Sequence, residues 1–508
     1  MKKLFAITFA LFCVCAAWCA QPKYIFLFIG DGMSTPQRMI ADEFSRHAGH
    51  GRLILNTLPY HATTRTCSSS SLVTDSAAAA TAIACGEKTN NGRIGVDAEG
   101  VRRLESVAEA AKKKGRKVGI VTTVTINHAT PAGFYGHRKS RSEGYALGLD
   151  MIASGFDYFA GGGVFGSNDG KAPEYKGKSI YALAEEAGYT LTVGRDALMK
   201  LKPGRKVYAR SENNDAVMPY TIDADPALPT LADFTAKGIE LLDNPNGFFM
   251  MIEGGKIDYA GHANDAATNL REVLGLDKAV QVALAFAAKH PAETLVIVTG
   301  DHETGGMTMG FAATGYALYM DRLANQKCSV DVFGKKVRAV LTAKPDLAFD
   351  AVKPMLTESF GFLFTGKDPM TLTAGELKEL EQAFQADAKA LTGQSSKWNS
   401  KLALTAKKIM SAKSGVGWTP MTLTAGELKE LEQAFQADAR ALTGQSSKWN
   451  SKLALTAKKI MSAKSGVGWT SGAHTALPVL TTSQGVGAEN FTGFLDNTDL
   501  AKKLKDLL

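Results

Sequence analysis

Tyr24-Ile25-Phe26-Leu27-Phe28-Ile29-Gly30-Asp31-Gly32 is an unbroken apolar run that stops at Gly-Asp-Gly. A short run of large apolar residues without polar alternation predicts a strand buried on both faces, as in a parallel sheet. Three further runs share this form. Val118–Val124 leads to Asn127-His128-Ala129-Thr130, Phe248–Ile252 to Glu253-Gly254-Gly255, and Thr294–Val298 to Gly300-Asp301-His302-Glu303. In open α/β sheets, ligands gather outside the carboxyl ends of the strands. One acid after a strand is ordinary. Four such ends carrying Asp31, His128 with Thr130, Glu253, and Asp301 with His302 predict one assembled metal site.

Strand-like and helix-like segments alternate to about residue 310, so the predicted fold is α/β. The expected architecture is a large mixed, mostly parallel central sheet with helices on both faces. A chain of 508 residues, 45% hydrophobic and 21% charged, has ample material for such a core. The formal charge of +8 is dispersed apart from Lys112-Lys113-Lys114-Gly115-Arg116-Lys117. That cluster precedes a strand at a predicted helix C-terminus, where cations suit the helix dipole. A dedicated nucleic-acid partner is therefore not expected, and a mild positive field that draws in anionic substrates is enough.

Residues 1–20 have the form of a removable export leader: Met1-Lys2-Lys3, the apolar stretch Leu4–Ala17, then Cys19-Ala20 before Gln21. The apolar stretch is short for a membrane anchor, and no other stretch approaches spanning length. The expected location is the periplasm of a two-membrane bacterium, or otherwise outside the cell. Residues 21–508 then form the mature chain. Three cysteines leave with the leader; Cys67, Cys85 and Cys328 remain, with no CxxC motif. They allow at most one internal disulfide, so this is no disulfide scaffold.

Residues 369–419 and 420–470 are consecutive 51-residue copies that differ only at Lys389 against Arg440. Solenoids need three or more units with capping ends, so two near-identical copies point to a tandem duplicate of one helical insertion. Each copy predicts two helices. The first opens on the capping box Thr373-Ala374-Gly375-Glu376 and keeps Leu377, Leu380, Phe384, Ala388 and Leu391 on one face. The second spans about Asn399–Met410, before Ser414-Gly415-Val416-Gly417. Since the path enters at Asp368 and leaves through Trp469-Thr470, one copy is expected to be peripheral.

Asp258 and His262 stand four apart, which on a helix stacks a carboxylate and an imidazole on one face. That pair is half of a zinc site. His474, in Gly472-Ala473-His474-Thr475, is a further histidine in a tight, Gly-bearing turn. For any one histidine alone, a satisfied core or surface residue is the better reading. The joint placement of His262, His302 and His474 beside acids reverses it.

Thr74-Asp75-Ser76 followed by alanines reads as a helix N-terminus. A plain capping serine is the bland alternative. A serine in the positive end of a helix is also well placed to meet a phosphate. No GxSxG elbow is present, and the histidines are committed elsewhere, so metal activation of the hydroxyl replaces a triad. Arg138 and Arg141 follow the His128 segment, and a guanidinium fork suits two phosphoryl oxygens.

These residues together resemble the alkaline phosphatase family. The resemblance rests on Ile29-Gly30-Asp31-Gly32-Met33, Thr74-Asp75-Ser76-Ala77, His128–Gly133, Glu253–Asp258 with His262, Thr299–Gly306, and Gly472-Ala473-His474-Thr475, in that order. It implies hydrolysis of small-molecule phosphate monoesters through a phosphoserine on Ser76, at a site holding two Zn²⁺ and one Mg²⁺. Asp258, His262 and His474 would hold the first zinc; Asp301, His302 and Asp31 the second. Asp31 would bridge to magnesium, completed by Thr130 and Glu253, with His128 expected behind these ligands. Arg141 rather than Arg138 would clamp phosphate, oriented by Asp75. The resemblance leaves the oligomeric state open, a homodimer being the candidate assembly. A diesterase or sulfatase on the same framework, or a secreted binding module with structural metals, are the rivals. No CxPxR-like segment surrounds Ser76, and an open position beside Ser76 and Arg141 has no use in a purely structural site.

Overall fold

The first strand, β1 (Tyr24–Gly30), is buried along its whole length. Its alternate residues separate two cores. Tyr24, Phe26 and Phe28 pack with the helices Thr35–His47, Leu231–Leu242 and Ala266–Ala287. Ile25, Leu27 and Ile29 pack with Ser76–Cys85, Val107–Lys113, Gly144–Ala153 and Asn497–Leu507 on the opposite face. Each fully buried large apolar side chain contributes about 1.5–3 kcal/mol, so a two-sided apolar strand anchors both layers at once. The computed structural model describes residues 21–310, 314, 316–392 and 452–508.

Further strands are β2 (Tyr60–Arg65), β3 (Lys117–Thr122), β4 (Tyr158–Gly161), β5 (Tyr189–Val193), β6 (Lys206–Arg210), β7 (Phe248–Gly254) and β8 (Thr294–Gly300). After two short strands, β9 (Glu303–Thr304) and β10 (Met307–Met309), come β11 (Val467–Trp469), β12 (His474–Thr475), β13 (Val479–Gly485) and β14 (Gly493–Asp496). Ten strands form one sheet in the order β14-β2-β13-β8-β1-β7-β3-β4-β6-β5. Among the described residues of this sheet, only β13 runs antiparallel to its neighbours. The four apolar runs are β8, β1, β7 and β3, side by side at the centre of the sheet, so the α/β, mostly parallel architecture holds. β3 stops at Thr122, two residues before the expected end, because the Thr122 hydroxyl takes the Val124 N–H at 3.0 Å and turns the chain.

A separate helical layer surrounds Phe333, Leu356, Phe360, Leu380, Phe384 and Ile460. The stretch between 312 and 368, which has no clear periodicity, supplies the helices Met320–Ala324, Val330–Ala343 and Lys353–Phe360. Ala374–Thr392 opens with the predicted capping box, the Glu376 N–H on Thr373 Oγ1 at 3.2 Å and the Thr373 N–H on Glu376 Oε2 at 2.8 Å. Its packing partner is Lys452–Ser465, which belongs to the second copy of the repeat. Asp387 accepts the Leu453 N–H at 2.9 Å, and Lys464 pairs with Glu376 at 3.3 Å. The helix ends at Gly466, whose φ of +84° favours glycine. β11 then pairs antiparallel with β10, Trp469 opposite Met307. The leader, the second helix of the first copy and the first helix of the second copy lie outside the described residues.

Deleting residues 393–443 removes 51 residues and gives the same single-copy chain as deleting 420–470. In that variant the two described helices are joined by the link native to one copy. The expected outcome is unchanged turnover within about two-fold and a thermal midpoint within about 4 °C of the parent. A chain that no longer folds, seen by thermal scanning, would show that both copies are structural.

Candidate active site

β1 lies in register between β7 and β8, with Gly30 beside both Gly254 and Gly300. The residues that follow these glycines therefore emerge together. Asp301 Oδ1 accepts the Gly32 N–H at 3.0 Å, which locks the two strand ends. Gly32 has φ of +73°, and a Cβ there would lie 2.9 Å from Asp258 Cα, so only glycine fits this turn.

Three groups of donors close around these ends: Asp258, His262 and His474; Asp31, Asp301 and His302; Asp31, His128 and Glu253. Within each, the ligand atoms lie within 4.8 Å of one another. Asp258 and His262 share one face of the helix Lys256–His262, as their spacing predicts. His474 arrives on β12, which pairs with β9 beside Asp301-His302. Thr130 donates to Asp31 Oδ2 at 3.2 Å. His128, expected behind these ligands, has one ring nitrogen within 4.8 Å of the carboxylate oxygens of Asp31 and Glu253.

The ring nitrogens are held in definite orientations. His262 Nδ1 faces the Gly472 carbonyl and His474 Nδ1 the Thr74 carbonyl, each at 2.8 Å. Those carbonyls accept protons, so the Nε2 atoms meet at 3.2 Å with Asp258 Oδ1 3.4 and 3.5 Å away. His302 Nδ1 faces Thr304 Oγ1, which donates to Asp258, so His302 Nε2 turns toward Asp31 and Asp301 at 3.4 and 3.2 Å. Among the described residues, buried Asp31 Oδ1, Glu253 Oε1 and Asp301 Oδ2 find no hydrogen-bond partner. Lone pairs converging on carboxylate oxygens repel unless a proton or a cation lies between them, so this donor set fits metal ions.

Titration follows from the same crowding. Burial, reinforced by neighbouring carboxylates, pushes Asp301 up to about 7 and Glu253 up to about 8, and raises Asp31 well above its ordinary value. Burial holds His302 well below the usual imidazole range and lowers His128 to about 3. Burial opposes charge on His474 too, but Asp258 outweighs it and raises the ring. Asp258 is itself depressed: burial favours its neutral form, and the three imidazoles around it overcome that.

Ser76 is the first residue of the helix Ser76–Cys85, and Asp75 is its cap, accepting the Ala78 N–H at 3.0 Å. The serine hydroxyl is thus free of capping and lies 3.2 Å from His302 Nε2. Arg141 Nη1 reaches Asp75 at 3.1 Å and Nη2 reaches His128 Nε2 at 3.1 Å. Arg138 points elsewhere, paired with Asp150 at 2.7 Å and Glu174 at 3.2 Å.

The outer partners were not foreseen. Thr122 donates to Glu253, Asn91 Oδ1 accepts the Asp75 N–H at 3.2 Å, and Thr304 bridges Asp258 and His302. Each is a common polar residue whose role depends on which remote segment folds against it.

Comparison with known proteins places the chain in a family. The family model for alkaline phosphatase matches residues 22–508. The chain belongs to the alkaline phosphatase family. It is 34% identical over 369 residues to alkaline phosphatase 4 of Bacillus subtilis, covering 70% of each chain. To alkaline phosphatase 3 of the same species it is 28% identical over 494 residues, covering 95% of this chain and 88% of the other. A solved cold-active alkaline phosphatase from a psychrophilic Shewanella superposes with a TM-score of 0.73 at 26% identity, covering 96% and 99%. The Thermus thermophilus alkaline phosphatase gives 0.69 at 25%, covering 96% and 92%. The protein is therefore an alkaline phosphatase, a metal-dependent hydrolase of phosphate monoesters.

The metal-free alkaline phosphatase should lose stability as pH rises from 6.5 to 8. In that window Asp301 and Glu253 are still partly protonated in the folded chain but ionised in the unfolded one, where carboxylates titrate near about 4. The folded state then binds more protons than the unfolded, so stability falls with pH. His474, raised, acts in the same direction, and the lowered imidazoles act below about pH 6.5. Thermal scans of chelated protein should show a midpoint drop of roughly 2–4 °C across the window. Metal-loaded protein should show a much smaller drop. A flat chelated profile would contradict the stacked carboxylates.

Proposed function

We propose that Ser76 is the nucleophile of a two-step phosphate transfer, working beside two Zn²⁺ and one Mg²⁺. The observation that carries this reading is the Ser76 hydroxyl beside His302 Nε2, within a buried set of carboxylate oxygens that have no partner. Asp258, His262 and His474 suit the first zinc, and Asp31, Asp301 and His302 the second, since zinc favours nitrogen and carboxylate donors. Asp31, Glu253 and Thr130 suit magnesium by their hard oxygens, with His128 at the edge of that group. When bound, the ions supply Lewis-acid charge that lowers the pKa of a coordinated hydroxyl and neutralises the attacking and leaving oxygens.

The chain does the rest. Ser76 Oγ attacks phosphorus and carries the phosphoryl group; the ester oxygen leaves as the alcohol. Water then cleaves the phosphoserine, releasing inorganic phosphate and restoring the hydroxyl. Arg141 offers its fork to two equatorial oxygens, and the N-terminal turn of Ser76–Cys85 adds its positive field. Asp75 orients Arg141 while capping that helix, so one carboxylate aligns clamp and nucleophile. Ionisation of Asp301 and Glu253 through pH 7 to 8 strengthens cation binding, which favours activity on the alkaline side. Residues 1–20 direct export, to the periplasm or the medium, and residues 21–508 are the catalytic unit. Among the described residues no helix is long and apolar enough to cross a membrane.

Ser76→Ala should abolish acid-trapped phosphoenzyme and lower turnover at least about a thousand-fold, while zinc content stays near two per chain. Full turnover in that variant would exclude Ser76. Arg141→Ala removes a charge-assisted clamp worth about 1.5–3 kcal/mol, so kcat/KM should fall roughly 10- to 150-fold with phosphoenzyme still formed. Unchanged kcat/KM and unchanged inhibition by free phosphate would remove Arg141 from the phosphate site.

A further inference from the structure

Glu303 is fully buried beside the donor groups yet belongs to none of them. Its carboxylate is satisfied from three separate segments. Oε1 accepts from Gln37 Nε2 at 2.6 Å and from the Met307 N–H at 3.1 Å. Oε2 accepts from the Gly306 N–H at 3.0 Å and from the Thr475 hydroxyl.

Each partner lies on a segment next to one that carries a metal donor. Gln37 Oε1 takes the Ser34 N–H at 3.1 Å, closing the turn that carries Asp31, and its Nε2 also reaches the Thr304 carbonyl. Gly306 and Met307 continue the strand end that carries Asp301 and His302. Thr475 adjoins His474, and lies opposite Glu303 in the pairing of β12 with β9. That pairing is only two residues long on each side, too short to fix a register by backbone bonds alone.

We infer that Glu303 is a positioning residue: its carboxylate pins the late β12 segment so that His474 completes the group with Asp258 and His262. This rests on the proposed zinc binding by those three residues. A carboxylate is required because both oxygens must accept. The isosteric amide of Glu303→Gln turns an NH₂ group against two donors, while leaving Asp301 and His302 attached to β8. The effect should fall on one metal group and spare the other.

The test is titration of metal-free protein with Zn²⁺ against a competing chromogenic chelator, for the parent, Glu303→Gln, Thr475→Val and His474→Ala. The parent should take up two tight equivalents. In Glu303→Gln one equivalent should weaken about 10- to 100-fold, the range for a lost outer partner of a metal ligand, and the other should stay within about 3-fold. It should be the equivalent that His474→Ala abolishes, so Glu303→Gln added to His474→Ala causes no further loss. Thr475→Val removes one donor and should weaken the same equivalent by less. Excess Zn²⁺ should restore kcat of Glu303→Gln without changing KM.

Parallel weakening of both equivalents, or none, overturns the positioning role. So does a loss that excess Zn²⁺ cannot restore. If Glu303→Gln does not fold, Thr475→Val decides: selective weakening supports the role, and unaltered binding overturns it. A parent chain that binds no Zn²⁺ would instead refute the metal reading on which the inference rests.

Discussion

The in-register pairing of β7, β1 and β8 is the constraint on which the site depends. It places Glu253, Asp31 and Asp301 at the ends of three adjacent strands, in a layer that the helices shield from water. Two carboxylates about 4 Å apart repel by about 4 kcal/mol at an effective dielectric constant near 20. A sheet that aligns three of them is stabilised by protons or cations at their ends. The raised Asp301 and Glu253 record the first solution, and the converging ring nitrogens point to the second. Stability is surrendered at the strand ends and supplied by the apolar runs behind them, where β1 joins both cores.

How much of this was legible in the sequence follows from the range of each signal. Continuous apolar runs report two-sided burial, so the four central strands could be read directly. The i, i+4 spacing of Asp258 and His262 reports a helix face, and that pair could be read as well. His474 was legible by its setting in a tight, Gly-bearing turn, but the reason it reaches the site was not. That reason is the pairing of β12 with β9, a tertiary event between residues about 170 apart in sequence. Thr304, Gln37 and Thr122 are invisible for the same cause. A hydroxyl or amide becomes an outer partner only when a remote donor folds against it. Asp75 shows an intermediate case: the polar triplet located the helix start, but only the backbone decides that Asp75 caps and Ser76 stays free.

The two arginines make the same point about charge. Arg138 and Arg141 are three residues apart and chemically identical, yet Arg138 is consumed by Asp150 and Glu174. Arg141 makes its ion pair with Asp75, with its side chain still 29% exposed. Arg141 Nη1 meets Asp75 and Nη2 meets the His128 ring, so one carboxylate offsets its charge where two offset that of Arg138. Arg141, with the single carboxylate partner, is the arginine that adjoins the donor groups, through His128.

The repeat sits inside the segment that separates β10 from β11, between the donors of β8 and the last histidine. An insertion there would seem to threaten the site, because His474 must return to it. Loop-closure entropy argues otherwise. Lengthening a closed segment from about 110 to about 160 residues costs only about 0.3 kcal/mol, since the penalty grows as the logarithm of length. What fixes the return is local: the Trp469–Met307 pairing, the Gly466 turn and the helix Lys452–Ser465 packed on Ala374–Thr392. Because the two copies are nearly identical, a first helix from one and a second helix from the other meet with the same side chains as a pair from a single copy. The packing surface thus reads residue identity, not position along the chain, and the path to His474 survives the added length.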